Sequence, residues 1–192
     1  DEPYVLVTSV DLTNPVIPAV DVYKYGPWSN ISKGDIGSTL FVVSQAQADG
    51  LIAANLIPRV PFWGLAWAPK AIPAPPSVIC VVSLVEHDAS ADPSATRSIV
   101  KGVAVASVGA SMTLPYATRV QKLLTDVRGG LEVPTGAPNF DDPIGTQQLV
   151  LSAADLTGAA GSFRNKVLNF AGQGADYAVT FQNWNNRSGA AP

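Results

Sequence analysis

The chain has 192 residues, of which 47% are hydrophobic and 14% charged, and it carries a net charge of −3. That length suits one domain, spanning 1–192, and the apolar fraction suits a globular core. Charge is sparse against an average of roughly 25%, and no cluster of Lys or Arg appears. Nucleic acid is therefore excluded as an expected partner, because phosphate binding needs a concentrated positive face.

Glycine and proline number 16 each, so the chain turns often, as all-β proteins do. No apolar run approaches the roughly 18 residues of a membrane-spanning helix. Cys80 is alone and can form no internal disulfide. It lies in the run Val78-Ile79-Cys80-Val81-Val82 and reads as a small buried hydrophobe. A first residue of Asp1 is compatible with a processed amino terminus, and the expected setting is extracellular. Asn30-Ile31-Ser32 and Asn186-Arg187-Ser188 are glycosylation sequons, a triplet common by chance.

Tyr4 to Val10 predicts a strand whose two faces are both apolar enough to be covered. Asp11-Leu12-Thr13-Asn14-Pro15 breaks it as a turn. Val20 to Tyr25 predicts a second strand, ended by Gly26-Pro27, and Thr39 to Ser44 a third. Good helix formers predict a short helix over Gln45 to Ile57. Phe62 to Trp67 reads as an aromatic strand, and Pro69 to Pro76 as a proline-rich loop. Val78 to Val85 carries the clearest strand signal, a β-branched apolar run suited to a central position.

After the acidic stretch Glu86 to Pro93 the period changes. Val100, Val103, Ala104, Val108 and Met112 fall at helical spacing, as do Val120, Leu123, Leu124 and Val127. These segments predict a helical hairpin over 94–130, inserted between strands and stopped at Gly129-Gly130. Strand signals return at Gln147 to Leu151 and at Tyr177 to Trp184, and Gly172-Gln173-Gly174 reads as a turn between the last strands. The expected fold is mainly β: an antiparallel β-sandwich with a helical insertion.

The acidic residues gather at strand ends. Asp11 closes the first strand and Asp21 opens the second. Glu86 and Asp88 close the central strand, and Asp142 stands in the turn Asn139-Phe140-Asp141-Asp142-Pro143-Ile144-Gly145. Brought together at one end of a sandwich, these five carboxylates would repel one another unless a cation lay between them. Ca2+, which takes six to eight oxygen ligands from flexible loops, is the simplest candidate.

Val10-Asp11-Leu12, Asp21-Val22-Tyr23, Glu86-His87-Asp88 and Asp142-Pro143-Ile144-Gly145 resemble, in that order, the acidic motifs of the C-two domain. That domain is the calcium-dependent lipid-binding module of protein kinase C and synaptotagmin. The resemblance implies a C-two-like sandwich, a Ca2+ cofactor, and Asp11, Asp21, Glu86, Asp88 and Asp142 as its ligands. Glu86 stands where the family has Asp. About fifty residues separate Asp88 from Asp142, where the family has a few.

His87 is the only histidine. Adjacent strand residues point to opposite faces, so His87 is expected to face away from Glu86 and Asp88, as a loop or surface imidazole. One histidine and one cysteine give no support to a His/Cys zinc site or a Cys-His dyad, and no Gly-x-Ser-x-Gly turn occurs. Trp28, Trp63, Trp67 and Trp184 are expected in the core, although exposed tryptophans would suit sugar stacking or a bilayer interface.

The function expected from these residues is a secreted binding module whose acidic loops meet a membrane surface or a glycan. Two other classes compete: a secreted hydrolase using Glu86, Asp88 and Asp142, with paired carboxylates as in glycosidases, and a pore-forming or lectin-type effector using the helical hairpin.

Overall fold

The computed structural model describes residues 2–14, 16, 18–29, 31, 35–37, 42–44, 63, 72–88, 93–133, 141–157, 162–172 and 174–184. In chain order its elements are β1 (Pro3–Asp11), β2 (Ala19–Tyr25), β3 (Asp35–Gly37), β4 (Val42–Ser44), β5 (Val78–Glu86), α1 (Pro93–Ser111), α2 (Tyr116–Leu131), β6 (Asp142–Gln148), β7 (Phe163–Gly172) and β8 (Ala175–Trp184). Four strands form an antiparallel sheet in the order β2-β1-β5-β6, while β3-β4 and β7-β8 are separate antiparallel pairs. The helix expected over Gln45 to Ile57 lies outside the described residues, as does all of the expected strand Phe62 to Trp67 except Trp63.

The two middle strands, β1 and β5, pair along their full length, from Pro3 opposite Glu86 to Asp11 opposite Val78. Each is buried at every position but its last. Successive strand side chains point to opposite faces, so these two strands supply two cores at once. Tyr4, Leu6 and Val10 join Ile79, Val81 and Val85 on one face, under Val100, Ala104 and Val108 of α1 and Val120, Leu123, Val127 and Leu131 of α2. Val5 and Val7 join Val78, Cys80, Val82 and Leu84 on the other, against Phe170 of β7 and Phe181 of β8.

The antiparallel sheets and the inserted helical pair agree with the expectation, and the two long helices give the described chain a mixed α/β character. Among the described residues the β7-β8 hairpin packs on one face, with Trp28, Trp63 and Ile72, and the two helices on the other, a mixed arrangement of helices and antiparallel strands. Length explains this. At 1.5 Å per residue the 19 residues of α1 span about 28 Å. That matches the roughly 30 Å of a nine-residue strand at 3.3 Å per residue. A helix that long, with buried residues at 100, 104 and 108, lies along the sheet instead of standing off it.

The helices are tied down at their junction. Arg119 Nη2 donates to the Met112 and Leu114 carbonyls at 2.6 and 3.2 Å, satisfying groups that the end of α1 leaves unpaired. Tyr116 Oη donates to the Val78 carbonyl at 3.0 Å, fastening the start of α2 to the start of β5.

Strand β6 begins at Asp142, so the residues expected to form a turn, Asp142 to Gly145, are already paired with β5, and the strand ends before Leu149. The pairing slips at Ile144: Gly145 lies opposite Leu84 but Pro143 opposite Val85. Such a bulge at a sheet edge tolerates proline. A Cβ on Gly145 would come within 3.0 Å of the Phe170 ring, so the missing side chain is what lets the hairpin close on this strand. Strand β7 was not expected; its polar residues Arg164, Asn165 and Asn169 are exposed while Phe170 is buried.

A 3-10 turn, Ala153–Leu156, ties to the hairpin through Asp155. Asp155 is buried, accepts from the Ser152 amide and hydroxyl at 2.7 and 2.6 Å, and pairs with Lys166 of β7 at 2.7 Å. Burial pushes its carboxyl up, but the bonds from Lys166 and Ser152 outweigh that and hold it below the usual carboxylate range. A carboxyl held low in the fold stabilises it above the unfolded-state pKa and loses that contribution as pH falls through the folded value. Asp155→Asn should therefore remove part of the acid-side loss of stability, read from urea unfolding at stepped pH between neutral and about 3. An unchanged pH profile would contradict the assignment.

Cys80 is 2% exposed. Burial pushes its thiol up to about 12, against a small opposing effect of a bond with Ser9. Thiolate is the reactive form, so the native thiol should resist a disulfide-exchange reagent at pH 8 and react promptly once the chain is unfolded in guanidinium. Fast labelling of the native protein would contradict the packing of β5.

Candidate functional site

The pairing of β5 with β6 places Glu86 opposite Asp142 and so brings the two acidic stretches together at one end of the sheet. Cross-strand partners share a face. Neighbours in sequence take opposite faces, and the chain applies this twice: Glu86 and Asp142 turn to the hairpin side, His87 and Asp141 to the helix side.

On the helix side Asp141 is buried, with its side chain 3% exposed. Its Oδ2 accepts from Tyr4 Oη at 2.5 Å and from Thr96 Oγ1 at 3.1 Å. Its Oδ1 faces His87 Nδ1 at 3.0 Å and accepts from the Asp88 amide at 3.3 Å. Four donors from β1, α1 and the loop after β5 thus converge on one carboxylate, which is how a buried charge is made tolerable. An ionised carboxylate only accepts, so Nδ1 carries the hydrogen and Nε2 is left as the second ring nitrogen. The Tyr4 ring meets the imidazole edge-on, with centroids 6.3 Å apart. Burial first, and then the bond to Asp141, push the Tyr4 hydroxyl far above the usual tyrosine range, so it remains a donor. His87 is consequently no surface imidazole: its side chain is 12% exposed and held by a carboxylate.

On the hairpin side no lysine or arginine among the described residues pairs with Glu86, Asp88 or Asp142; the cations that do pair are Lys101, Lys122 and Lys166, with Asp21, Asp126 and Asp155. Glu86 lies close enough to Tyr177 of β8 to help burial raise the tyrosine hydroxyl. Tyr177 in turn lines a shallow depression of about 370 Å³ along the hairpin, with Asn169, Phe170, Ala171, Asp176 and Ala178. These six residues are three successive cross-strand pairs next to the β7-β8 turn, where Gly174 takes a left-handed φ of 75°. Trp28 and Trp63 pack, half-buried, against the core on this face of the sheet.

The five carboxylates expected to share a cation do not converge. Asp11 lies opposite Val78 while Glu86 lies opposite Pro3, so eight residues of strand, about 26 Å, separate the two groups. Asp11 caps the turn after β1, accepting from the Thr13 amide and hydroxyl at 2.9 and 2.6 Å. Asp21 lies opposite Ser9 and pairs with Lys101 at 3.0 Å. Glu86, Asp88 and Asp142 do share an end. Among the described residues no three His, Cys, Asp or Glu side chains stand so as to hold a metal ion.

No family model, curated protein or solved structure matches this chain. The site is therefore read from its own geometry. Sequence reasoning passed over Asp141, which meets Tyr4, His87, Thr96 and the Asp88 amide, in favour of its neighbour. The available signal was the pair Asp141-Asp142 at a strand entrance, which by alternation sends one carboxylate to each face.

The two aspartates should behave oppositely. Asp141→Ala strands the Tyr4 and Thr96 hydroxyls in a buried site and should cost about 3 kcal/mol or more. Asp142→Asn removes one of two like charges facing across strands and should be neutral or stabilising by up to about 1 kcal/mol. Equal effects in urea unfolding would contradict this division of faces.

Proposed function

We propose that the chain is a binding module that recognises a neutral glycan on the hairpin side of this sheet end. The observation that carries the reading is the depression of about 370 Å³ beside the β7-β8 turn, lined by the half-buried Tyr177 together with Asn169 and Asp176 of the neighbouring cross-strand pairs. Carboxylates and amides accept and donate hydrogen bonds to sugar hydroxyls in fixed directions. A half-buried aromatic ring offers an apolar surface to the sugar's C–H face. The carboxylates Glu86 and Asp142 also set the selectivity: sialylated, sulfated or phosphorylated ligands are repelled.

This keeps from the C-two resemblance only the idea that the ligand is met at the ends of strands. An anionic lipid surface would need a bridging cation here, since the carboxylates repel phosphate; a glycan needs none. Among the described residues no helix is long and apolar enough to cross a membrane.

A second reading is favoured by the Asp141–His87 pair. A carboxylate that orients an imidazole is the arrangement of a general base. The hydrolase form of the proposal would therefore use His87 in place of Glu86, Asp88 and Asp142.

The test is binding of the wild-type chain to immobilised neutral and acidic oligosaccharides, with millimolar Ca2+ and with chelator. Neutral sugars should be retained over acidic ones in both conditions. Tyr177→Ala and Glu86→Gln should each weaken the strongest ligand by about tenfold, a loss of roughly 1.4 kcal/mol. His87→Gln should leave binding intact, and under the hydrolase reading it would instead abolish turnover of the bound sugar. Absence of retention on any neutral glycan would overturn the proposal. Retention lost on chelation would point to the calcium-bridged form that the C-two resemblance implies.

A further inference from the structure

We draw no further inference here: the strongest candidate, the solvent-facing stripe of Ser98, Gly102, Ala106 and Ala110 on α1 around the exposed Val105, is an unpartnered face of small residues, and nothing in the structure shows what covers it.

Discussion

The pairing of β1 with β5 is the constraint on which the rest of the molecule depends. Both strands are apolar on both faces, and an antiparallel sheet ordinarily leaves one face to water. Here neither face can be left. Each must be covered by a separate element, and strand alternation decides which residues each element meets. The helical pair takes Tyr4, Leu6, Ile79 and Val81; the hairpin takes Val5, Val7, Cys80 and Val82. Register then carries the division past the last apolar residue, so the polar groups at the sheet end are sorted by the same rule as the core.

That sorting explains why two adjacent aspartates have different fates. Asp141 faces the helices and is buried, and its carboxylate is met by partners drawn from positions 137, 54 and 45 residues away in the chain. Such a carboxylate specifies the arrangement around it, because each donor left without it would be buried and unsatisfied. Asp142 faces the hairpin side, is exposed, and lies opposite Glu86. One carboxylate closes the structure and the other stands at its surface. Tyr177, which lines the depression of the proposed site, belongs to the hairpin that packs on the second core, so fold and proposed site share an element.

Much of this layout was legible in the sequence where apolar periodicity is long and clean. The run Val78 to Val85 and the helical spacing of Val100, Ala104 and Val108 specify their elements locally. Strand β7 was not legible, because Arg164, Asn165, Lys166 and Asn169 dilute its alternation and Phe170 is its one residue fully buried among those described. The layer arrangement was hidden for another reason: whether a helical insertion stands off a sheet or lies along it depends on matching lengths and faces, which a linear pattern does not display. The acidic site was half legible. Glu86, Asp88 and Asp142 do gather, but Asp11 and Asp21 were assigned to the same end without the antiparallel register that sends them to the other. The role of Asp141 depends on contacts with Tyr4 and Thr96 that no local spacing announces.

The most direct test of this account is native-state amide hydrogen exchange resolved by strand. A sheet covered on both faces opens only when the whole chain unfolds, whereas the hairpin, joined to it through one face, can open by itself. Amides of β1 and β5 should exchange with the free energy of global unfolding, and those of β7 and β8 with a smaller one. Exchange of β1 and β5 as fast as that of the hairpin would contradict the claim that both of their faces are sealed.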